Sequence, residues 1–207
     1  MKFETVKAGN MDVNTYLIST DTSAVIIDPG EMCLRLEEFT KENKGKKFGI
    51  LLTHNHFDHI LAADAVRNLT GGKIYISVPD ADGLSDGEIN LCTRFCIPFT
   101  PFKADCTFND GDVLKIGDIE FKVMLTPGHS EGSACFIIDN KLFSGDTLFR
   151  LSVGRTDFIR GNYNELTLSL KKIASLNADY EVYTGHGPAT RLSFEKLYNP
   201  FMKDILK

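Results

Sequence analysis

The segment LLTHNHFDHI, residues 51–60, carries three histidines and an aspartate within six positions, directly after an apolar run typical of a buried strand. Side chains alternate along an extended chain, so His54 and His56 point to the same side of the strand end. Asp58 and His59 fall in the first turn of a predicted helix and turn back toward the same place. A lone histidine there would be ordinary packing, but four such side chains together raise the question of a metal site.

The other two histidines lie in matching positions. His129 in TPGHSEGS and His186 in YTGHGPAT each follow a predicted strand and are embedded in glycine or proline. Asp146, preceded by SG, ends another strand in a glycine-containing turn. Seven imidazole or carboxylate donors are too many for one tetrahedral zinc, and they fit two metals that share one carboxylate. These donors are His54, His56, Asp58, His59, His129, Asp146 and His186.

Hydrophobic periodicity predicts an α+β fold. Strands are predicted over 3–9, 14–20, 23–30, 48–53, 73–77, 112–118, 119–126, 133–139, 141–145 and 180–187. Helices are predicted over 31–43, 57–72 and 161–176, the last with a capping box of Asn162 and Glu165. The order predicts one domain, residues 1–207, with two sheets face to face, helices outside and loops at one edge. Residues 79–107 lack a clear period and are predicted to form a long loop.

Composition limits the classes of partner. The 207 residues are 43% hydrophobic and 25% charged, enough to bury one substantial core. The formal charge of −5, without a long basic run, argues against a nucleic-acid partner. No apolar stretch approaches the roughly 18 residues of a membrane helix, and the first ten residues contain no apolar leader segment. We therefore expect a cytoplasmic protein that binds neither membranes nor nucleic acid.

The cysteines fit the same compartment. Five cysteines without regular spacing suit a reducing environment, in which we expect them to stay small buried hydrophobic residues. They are Cys33, Cys92, Cys96, Cys106 and Cys135. A metal site on Cys92, Cys96 and Cys106 is disfavoured, because structural zinc usually needs four ligands and no histidine lies nearby.

Five motifs occur in a characteristic order. HNHFDH at 54–59 has the form H-x-H-x-D-H, and it is accompanied by DPG at 28–30, PGH at 127–129, SGD at 144–146 and GHGP at 185–188. Together they resemble the metallo-β-lactamase fold over nearly the whole chain. The resemblance implies an αββα sandwich of two mixed sheets with helices outside.

The resemblance also implies how the seven donors divide. It places His54, His56 and His129 on one metal and Asp58, His59 and His186 on the other, with Asp146 bridging. Two divalent ions are implied, zinc in the first instance, with iron or manganese as alternatives. Asp58 and Asp146 are the implied catalytic carboxylates, acting with a hydroxide that the metals activate.

Two further segments resemble a narrower group. LFRLSVGRTDF and GHGPATRLSFEKLYNPF look most like the short glyoxalase II-like hydrolases, which implies cleavage of a thioester such as an S-acylglutathione. Only 21 residues follow His186, so we expect no separate C-terminal helical domain for binding glutathione. A small-molecule thioester is the expected partner, and a homo-oligomer is left open.

Four residues receive roles with alternatives. Asp28 would accept a hydrogen bond from a ligand histidine, or would be a plain turn aspartate. Arg155 would pair with a substrate carboxylate or with Asp157 in a structural ion pair. Tyr163 would touch the substrate or would pack at a helix start.

Rival functions remain at this point. A persulfide dioxygenase shares the fold and would use one iron on His54, His129 and Asp146. A non-catalytic scaffold would show decay of the donor set, yet all seven donors are present. The loop over 79–107, with its three phenylalanines, is a lid, a dimer contact or ordinary packing.

Overall fold

The computed structural model describes residues 1–205, and its first six strands form one mixed sheet. Strand order follows chain order, with β1 to β3 antiparallel and β3 to β6 parallel. The strands are β1 (Lys2–Ala8), β2 (Val13–Ser19), β3 (Ser23–Ile27), β4 (Lys47–Leu51), β5 (Lys73–Ser77) and β6 (Cys106–Phe108).

The later strands form a second mixed sheet and a small hairpin. They are β7 (Val113–Ile116), β8 (Ile119–Leu125), β9 (Ala134–Ile138), β10 (Lys141–Gly145), β11 (Leu148–Phe149), β12 (Ser152–Val153), β13 (Glu181–Thr184) and β14 (Thr190–Arg191). The second sheet has the order β14-β13-β10-β9-β8-β7, and β11 pairs with β12 separately. Only β10 and β13 are neighbours in parallel orientation within this sheet.

Six α-helices of the described residues flank the sheets. They are α1 (Leu34–Glu42), α2 (Phe57–Ile60), α3 (Ala63–Thr70), α4 (Tyr163–Ala174), α5 (Leu192–Tyr198) and α6 (Pro200–Ile205). Helices from the first half pack on the first sheet, and those from the second half pack on the second sheet. The predicted αββα sandwich of two mixed sheets is confirmed. None of the helices within residues 1–205 has the length and apolar character needed to cross a bilayer.

Alternation along the strands separates the apolar layers. In β3, Val25 and Ile27 belong to the layer between the sheets, which also contains Phe136 of the second sheet. Ala24 and Ile26 belong instead to the layer beneath α1 and α3. A third layer joins β9, β10 and β13 to α4, α5 and α6. The sandwich is therefore held by burial on both faces of each sheet.

The helix predicted over 57–72 is interrupted at Ala62. The Ala62 N–H donates to Pro29 O at 3.0 Å, so it leaves the helical hydrogen-bond ladder. A Cβ added at Gly30 would lie 2.1 Å from Asp58 O, which shows how closely the preceding turn packs on α2. The continuous helix was therefore a wrong prediction, because a distant turn captures a backbone donor that periodicity cannot reveal.

The segment 79–107 is largely irregular, as predicted, but it contains a short 3-10 turn at Ala81–Leu84 and the start of β6. A three-residue strand carries too short a pattern to recognise in sequence. Phe102 is buried beneath the helices of the first sheet, whereas Phe95 is 43% exposed. Ordinary packing therefore accounts for Phe102 and not for Phe95.

The prediction that the cysteines are buried holds for Cys92 and Cys135 and is wrong for the other three. Cys33 and Cys106 are half-buried and Cys96 is exposed, and all five are free thiols. Cys96 lies in a turn with a left-handed φ of 53°, outside the apolar layers. Its position in this turn, which residue type alone does not reveal, explains its exposure.

The start of α4 is tied to the loop that carries His129. Asn162 Oδ1 accepts hydrogen bonds from the N–H groups of Asn164 and Glu165, at 2.9 and 3.3 Å. The reciprocal half of the predicted capping box is replaced, because Asn162 N–H donates to Gly128 O at 2.8 Å. The cap therefore fixes both the helix and the neighbouring loop.

A bulge at the end of β10 aims Asp146 at the edge of the sandwich. The register between β10 and β13 shifts between Phe143 and Gly145, and such bulges re-aim the side chains that follow. Gly145 has a φ of 48°, and a Cβ there would lie 2.5 Å from Thr53 Oγ1 of the opposite sheet. Glycine therefore permits both the backbone turn and the close approach of the sheets.

Candidate metal centre

Strands β3, β4 and β5 of the first sheet run in one direction, strands β8, β10 and β13 of the second sheet share a direction with one another, and the carboxyl ends of these six strands meet at one edge of the sandwich. Crevices at the carboxyl ends of parallel strands commonly hold ligands. The seven donors, together with Asp28 and Asp80, follow these six strands. They are Asp28 after β3, His54 to His59 after β4, Asp80 after β5, His129 after β8, Asp146 after β10 and His186 after β13.

The first group of donors consists of His54, His56 and His129. One ligand atom from each lies within 4.8 Å of the others. His56 Nδ1 and His129 Nε2 are 2.8 Å apart, and all three residues are buried. Three imidazoles converging on one point form a site that can hold a divalent metal.

The second group consists of Asp58, His59 and His186, with ligand atoms again within 4.8 Å. His186 Nε2 is 3.2 Å from Asp58 Oδ2 and 3.3 Å from His59 Nε2. His59 is fully buried, while the other two side chains are 13% and 28% exposed. This group therefore faces solvent more openly than the first.

Asp146 lies between the two groups. Its Oδ1 is 3.4 Å from His59 Nε2, and its Oδ2 is 3.5 Å from His129 Nε2 and 3.6 Å from His186 Nε2. One carboxylate thus faces imidazoles of both groups. The placement is that of a ligand shared between two neighbouring cations.

Asp28, His54 and His59 form a third set with converging atoms. The Asp28 oxygens, however, already accept hydrogen bonds from Thr53 N at 2.8 Å, Thr53 Oγ1 at 2.6 Å and His59 Nδ1 at 2.9 Å. Thr53 Oγ1 is also 3.1 Å from His54 Nδ1. Asp28 therefore orients His54 and His59, and its lone pairs are engaged rather than free for a metal.

The residues present fit a pair of divalent cations. His54 Nε2, His56 Nε2 and Asp146 Oδ1 are buried and have no hydrogen-bond partner among residues 1–205. Buried polar atoms are rarely left unpaired, and an ion is one of the accepted reasons. The donor set of imidazoles and carboxylates matches the ligands that zinc and iron accept.

Ionisation follows the division into groups. Burial, together with neighbouring histidines, holds the pKa of His54 and His56 well below the usual range, which keeps these rings neutral. Burial also opposes charge on His59, but Asp146, Asp58 and Asp28 outweigh it and raise its pKa to about 10. The carboxylates thus concentrate positive charge at the second group, as they would for a cation.

Backbone carbonyls fix the remaining rings. His129 Nδ1 donates to Arg155 O at 2.8 Å, and His186 Nδ1 donates to Met11 O at 3.0 Å. Each bond leaves Nε2 as the nitrogen that faces Asp146. A donor on the opposite ring nitrogen fixes both tautomer and direction in metal sites.

Sequence comparison supports this assignment of the fold. The family described as "Metallo-beta-lactamase superfamily" matches this chain over residues 8–186, which include all seven donors. The chain belongs to the metallo-β-lactamase superfamily. The resemblance inferred from the five motifs is thereby confirmed at the level of the superfamily.

Relatives span the full length of the chain. "Probable metallo-hydrolase YqgX" of Bacillus subtilis is 34% identical over 206 residues, covering 98% of this chain and 98% of the relative. "Hydroxyacylglutathione hydrolase GloC" of Haemophilus influenzae is 36% identical over 208 residues, with the same coverage of each chain. The chain is similar to both a generically named hydrolase and one with a named substrate.

Solved structures of the superfamily superpose closely. BLEG-1, described as a B3 metallo-β-lactamase, gives a TM-score of 0.89 at 36% identity, over 97% of this chain and 99% of that one. TTHA1623 in a di-iron-bound form gives 0.83 at 33% identity, over 96% and 99%. ETHE1 from Myxococcus xanthus gives 0.76 at 26% identity, over 100% and 91%. The same fold thus occurs under several functional names.

The predicted substrate-binding residues Arg155, Asp157 and Tyr163 have exposed side chains. Arg155 forms a bidentate ion pair with Asp157, at 2.6 and 2.7 Å, and both side chains are exposed. The structural ion pair that the sequence left open is therefore present. Tyr163 begins α4 with its side chain 57% exposed. Its predicted contact with substrate stays a prediction.

Asp80 is a residue of the site that sequence reasoning missed. It is fully buried, and its carboxylate accepts hydrogen bonds from Asn55 N at 3.2 Å, Ser130 Oγ at 2.7 Å and Gly132 N at 2.8 Å. Asn55 and Ser130 each adjoin a histidine of the first group. Asp80 therefore joins two ligand loops, and its place directly after β5 was the one available signal.

An aromatic wall beside the first group was also missed. The Phe158 ring lies 5.8 Å from the His56 ring, with an angle of 85° between the planes. Phe95 packs against Phe158 at 6.0 Å and against Phe57 at 5.4 Å. The 79–107 segment thus reaches the mouth of the site.

Proposed function

We propose that the protein is a metal-dependent hydrolase that cleaves the thioester of a small acylated thiol, an S-acylglutathione or a similar compound. The observation that carries the proposal is the position of Asp146, with oxygens 3.4 to 3.6 Å from imidazoles of both donor groups. The full-length similarity to a hydroxyacylglutathione hydrolase supports the substrate class.

Two divalent cations are part of the proposal. His54, His56 and His129 would hold one, Asp58, His59 and His186 the other, and Asp146 would be shared. Bound cations would lower the pKa of a coordinated water toward about 7 and polarise the substrate carbonyl. Zinc is the proposed metal because it accepts imidazole and carboxylate at low coordination number, and iron or manganese are alternatives.

The side chains of the chain itself supply orientation. Asp28 holds His59 through Nδ1, and through Thr53 it also holds His54. Preorganised groups need little rearrangement during the reaction, which is a large part of their contribution. The site therefore presents fixed nitrogens rather than mobile ones.

Asp58 and Asp146 are the proposed catalytic carboxylates. Burial favours a neutral Asp58, but His59 and His186 hold the pKa of Asp58 below its usual range, so it is ionised at neutral pH. An ionised carboxylate beside the second group can accept a hydrogen bond from, and so orient, the attacking water. The thiol that leaves has a pKa near about 8.5 and needs little proton donation.

A persulfide dioxygenase of the same fold is the second candidate, because the GRTDF segment at 154–158 is compatible with both activities. That activity would need His54, His129 and Asp146 only. The close grouping of Asp58, His59 and His186 supports the hydrolase instead, because a single-iron enzyme would leave these three without a function.

The proposal also covers location and partners. Five free cysteines support a reducing compartment, and we propose the cytoplasm. A small-molecule thioester is the proposed partner, with neither nucleic acid nor membrane involved.

The test combines metal analysis with three substrates. Purified protein is expected to contain about two metals per chain and to hydrolyse S-D-lactoylglutathione. The variants His59→Ala and Asp58→Asn should each lower kcat/KM at least about 100-fold. Asp21→Asn, in the exposed turn between β2 and β3, is the matched control and should retain activity. Hydrolysis of a β-lactam alone, or oxygen uptake on glutathione persulfide with one iron, would overturn the proposal.

A further inference from the structure

Two arginines lie over one aromatic ring beside the donor cluster. Arg155 Cζ is 3.9 Å from the centre of the Phe158 ring, and Arg94 Cζ is 5.3 Å from the same centre. Phe158 itself contacts the His56 ring at 5.8 Å. The Phe158 ring therefore lies in contact with both guanidinium groups and with the proposed metal ligand His56.

The two arginines differ in their partners. Arg155 is engaged through Nε and Nη2 in the bidentate pair with Asp157. Within residues 1–205, the Arg94 side chain has no hydrogen bond or ion pair. The hydrogen bond from Arg155 is the main cause that lowers the pKa of Asp157 to about 2, and the charge of Arg94 adds to that lowering. One aspartate thus faces two arginines, which leaves a surplus positive charge on the rim. A forked guanidinium with free donors is a preferred partner of carboxylates.

The segment that carries Arg94 is held in place. Ile97 N–H donates to Cys92 O at 2.9 Å, and Phe95 N–H donates to Leu91 O at 3.1 Å. Leu91 and Cys92 are buried against Phe57. Arg94 therefore projects from a fixed turn of the 79–107 segment rather than from a loose one.

We propose that Arg94 determines specificity by binding a carboxylate on the thiol half of the substrate, which selects acidic peptide thioesters over neutral ones. This inference rests on the proposed function. The path from His56 to Arg94 runs across Phe158, at 5.8 and 5.3 Å from the ring. A peptide spans about 3.5 Å per residue, so a thiol carrier of about two to three residues reaches from the donor cluster to Arg94.

The stacked ring strengthens this role. A guanidinium that rests on an aromatic face loses little freedom when it binds a planar carboxylate, so the entropic cost of recognition is small. Lysine would keep the charge but would lose the fork. The arginine is therefore expected to act through geometry as well as charge.

The kinetic experiment compares two thioesters with the same D-lactoyl group, one on glutathione and one on neutral N-acetylcysteamine. Arg94→Gln should lower the ratio of kcat/KM for the acidic over the neutral thioester about tenfold, which corresponds to one charge-assisted hydrogen-bonded contact. Arg94→Lys should fall between the two proteins. Lys203→Gln, which removes a cation stacked on Tyr198 elsewhere, should leave the ratio unchanged.

A binding experiment separates this inference from the proposed function. Calorimetry with S-methylglutathione, a thioether that cannot be hydrolysed, should give about tenfold weaker binding to Arg94→Gln than to the unmodified protein. If neither thioester is hydrolysed but this difference appears, the proposed function fails and the Arg94 inference stands. An unchanged ratio together with unchanged thioether affinity in a folded Arg94→Gln protein overturns the inference.

Discussion

The carboxylate of Asp28 lies 2.9 Å from His59 Nδ1, and both side chains are buried at the centre of the donor cluster. Asp28 also accepts two hydrogen bonds from Thr53, whose hydroxyl lies next to His54. One side chain thereby orients a histidine of each donor group. The relationship predicts that metal affinity depends on a residue that is itself not a metal ligand.

Asp28→Asn should weaken metal binding by about 10- to 100-fold, the usual effect of removing such a partner. The amide keeps the shape of the side chain but puts an N–H group against either His59 or Thr53. Affinity can be measured by chelator competition with metal analysis. Asp139→Asn is the matched control, because Asp139 shares the positive φ of Asp28 in an exposed hairpin turn. Equal affinities in the two variants would contradict the role of Asp28.

Metal removal should lower the stability of the folded chain. Three buried ligand atoms lack hydrogen-bond partners among the described residues: His54 Nε2, His56 Nε2 and Asp146 Oδ1. A metal that binds them exists only on the folded chain, and a ligand that binds only the folded state stabilises that state by mass action. At free metal about 100-fold above its dissociation constant, the gain is about 2.7 kcal/mol. Thermal unfolding with and without a chelator measures it. Coincident midpoints, with metal loss verified, would argue against a bound cation at this cluster.

Asp80 predicts a specific pH dependence of stability. Burial raises the pKa of Asp80 to about 6, although the hydrogen bonds from Ser130, Gly132 and Asn55 lower it. The Asp80 carboxyl loses its proton near pH 3.8 in the unfolded chain and near pH 6 in the folded chain. Its contribution to the free energy of unfolding therefore falls as pH rises between those two values. The loss approaches about 3 kcal/mol and is complete above pH 6.

Asp80→Asn removes that titration. Denaturant unfolding of the metal-free proteins at several pH values from 4 to 7 should show a smaller fall in unfolding free energy for the variant than for the unmodified chain. Asn cannot accept all three hydrogen bonds, so an overall loss of stability is also expected. The difference in slope is the decisive quantity, and parallel curves would refute the assignment.

Gly185→Ala should disrupt the centre through a steric clash. A Cβ at this position would lie 2.0 Å from Asp146 Oδ1 and 2.8 Å from His59 Cε1. Displacement of Asp146 should lower metal content and reduce activity at least about tenfold. Gly111→Ala is the control, since Gly111 has a positive φ and open space, so it should lose about 1 kcal/mol of stability and keep its metal. Full metal content in the Gly185→Ala protein would contradict this prediction, because it would show that the backbone around residue 185 moves enough to accommodate the Cβ.

Local patterns predicted most of the fold. Apolar runs bounded by turn residues located the main strands, and apolar residues at helical spacing located α4. Local pattern failed where a distant segment of backbone forms a hydrogen bond, as at Ala62, whose N–H group donates to Pro29 O. It also failed for β6, because three residues carry too little pattern to recognise.

The sequence by itself determined which side chains could bind metals, because residue type and position at strand ends are local properties. It also placed the chain in its superfamily through five short motifs. Only the tertiary structure decided how the donors share space: Asp146 between two groups, Asp28 engaged as an acceptor, Asp80 joining two loops. The physical reason is that these relationships join strand ends of both sheets across long sequence separations. Local pattern carries no information about such distances.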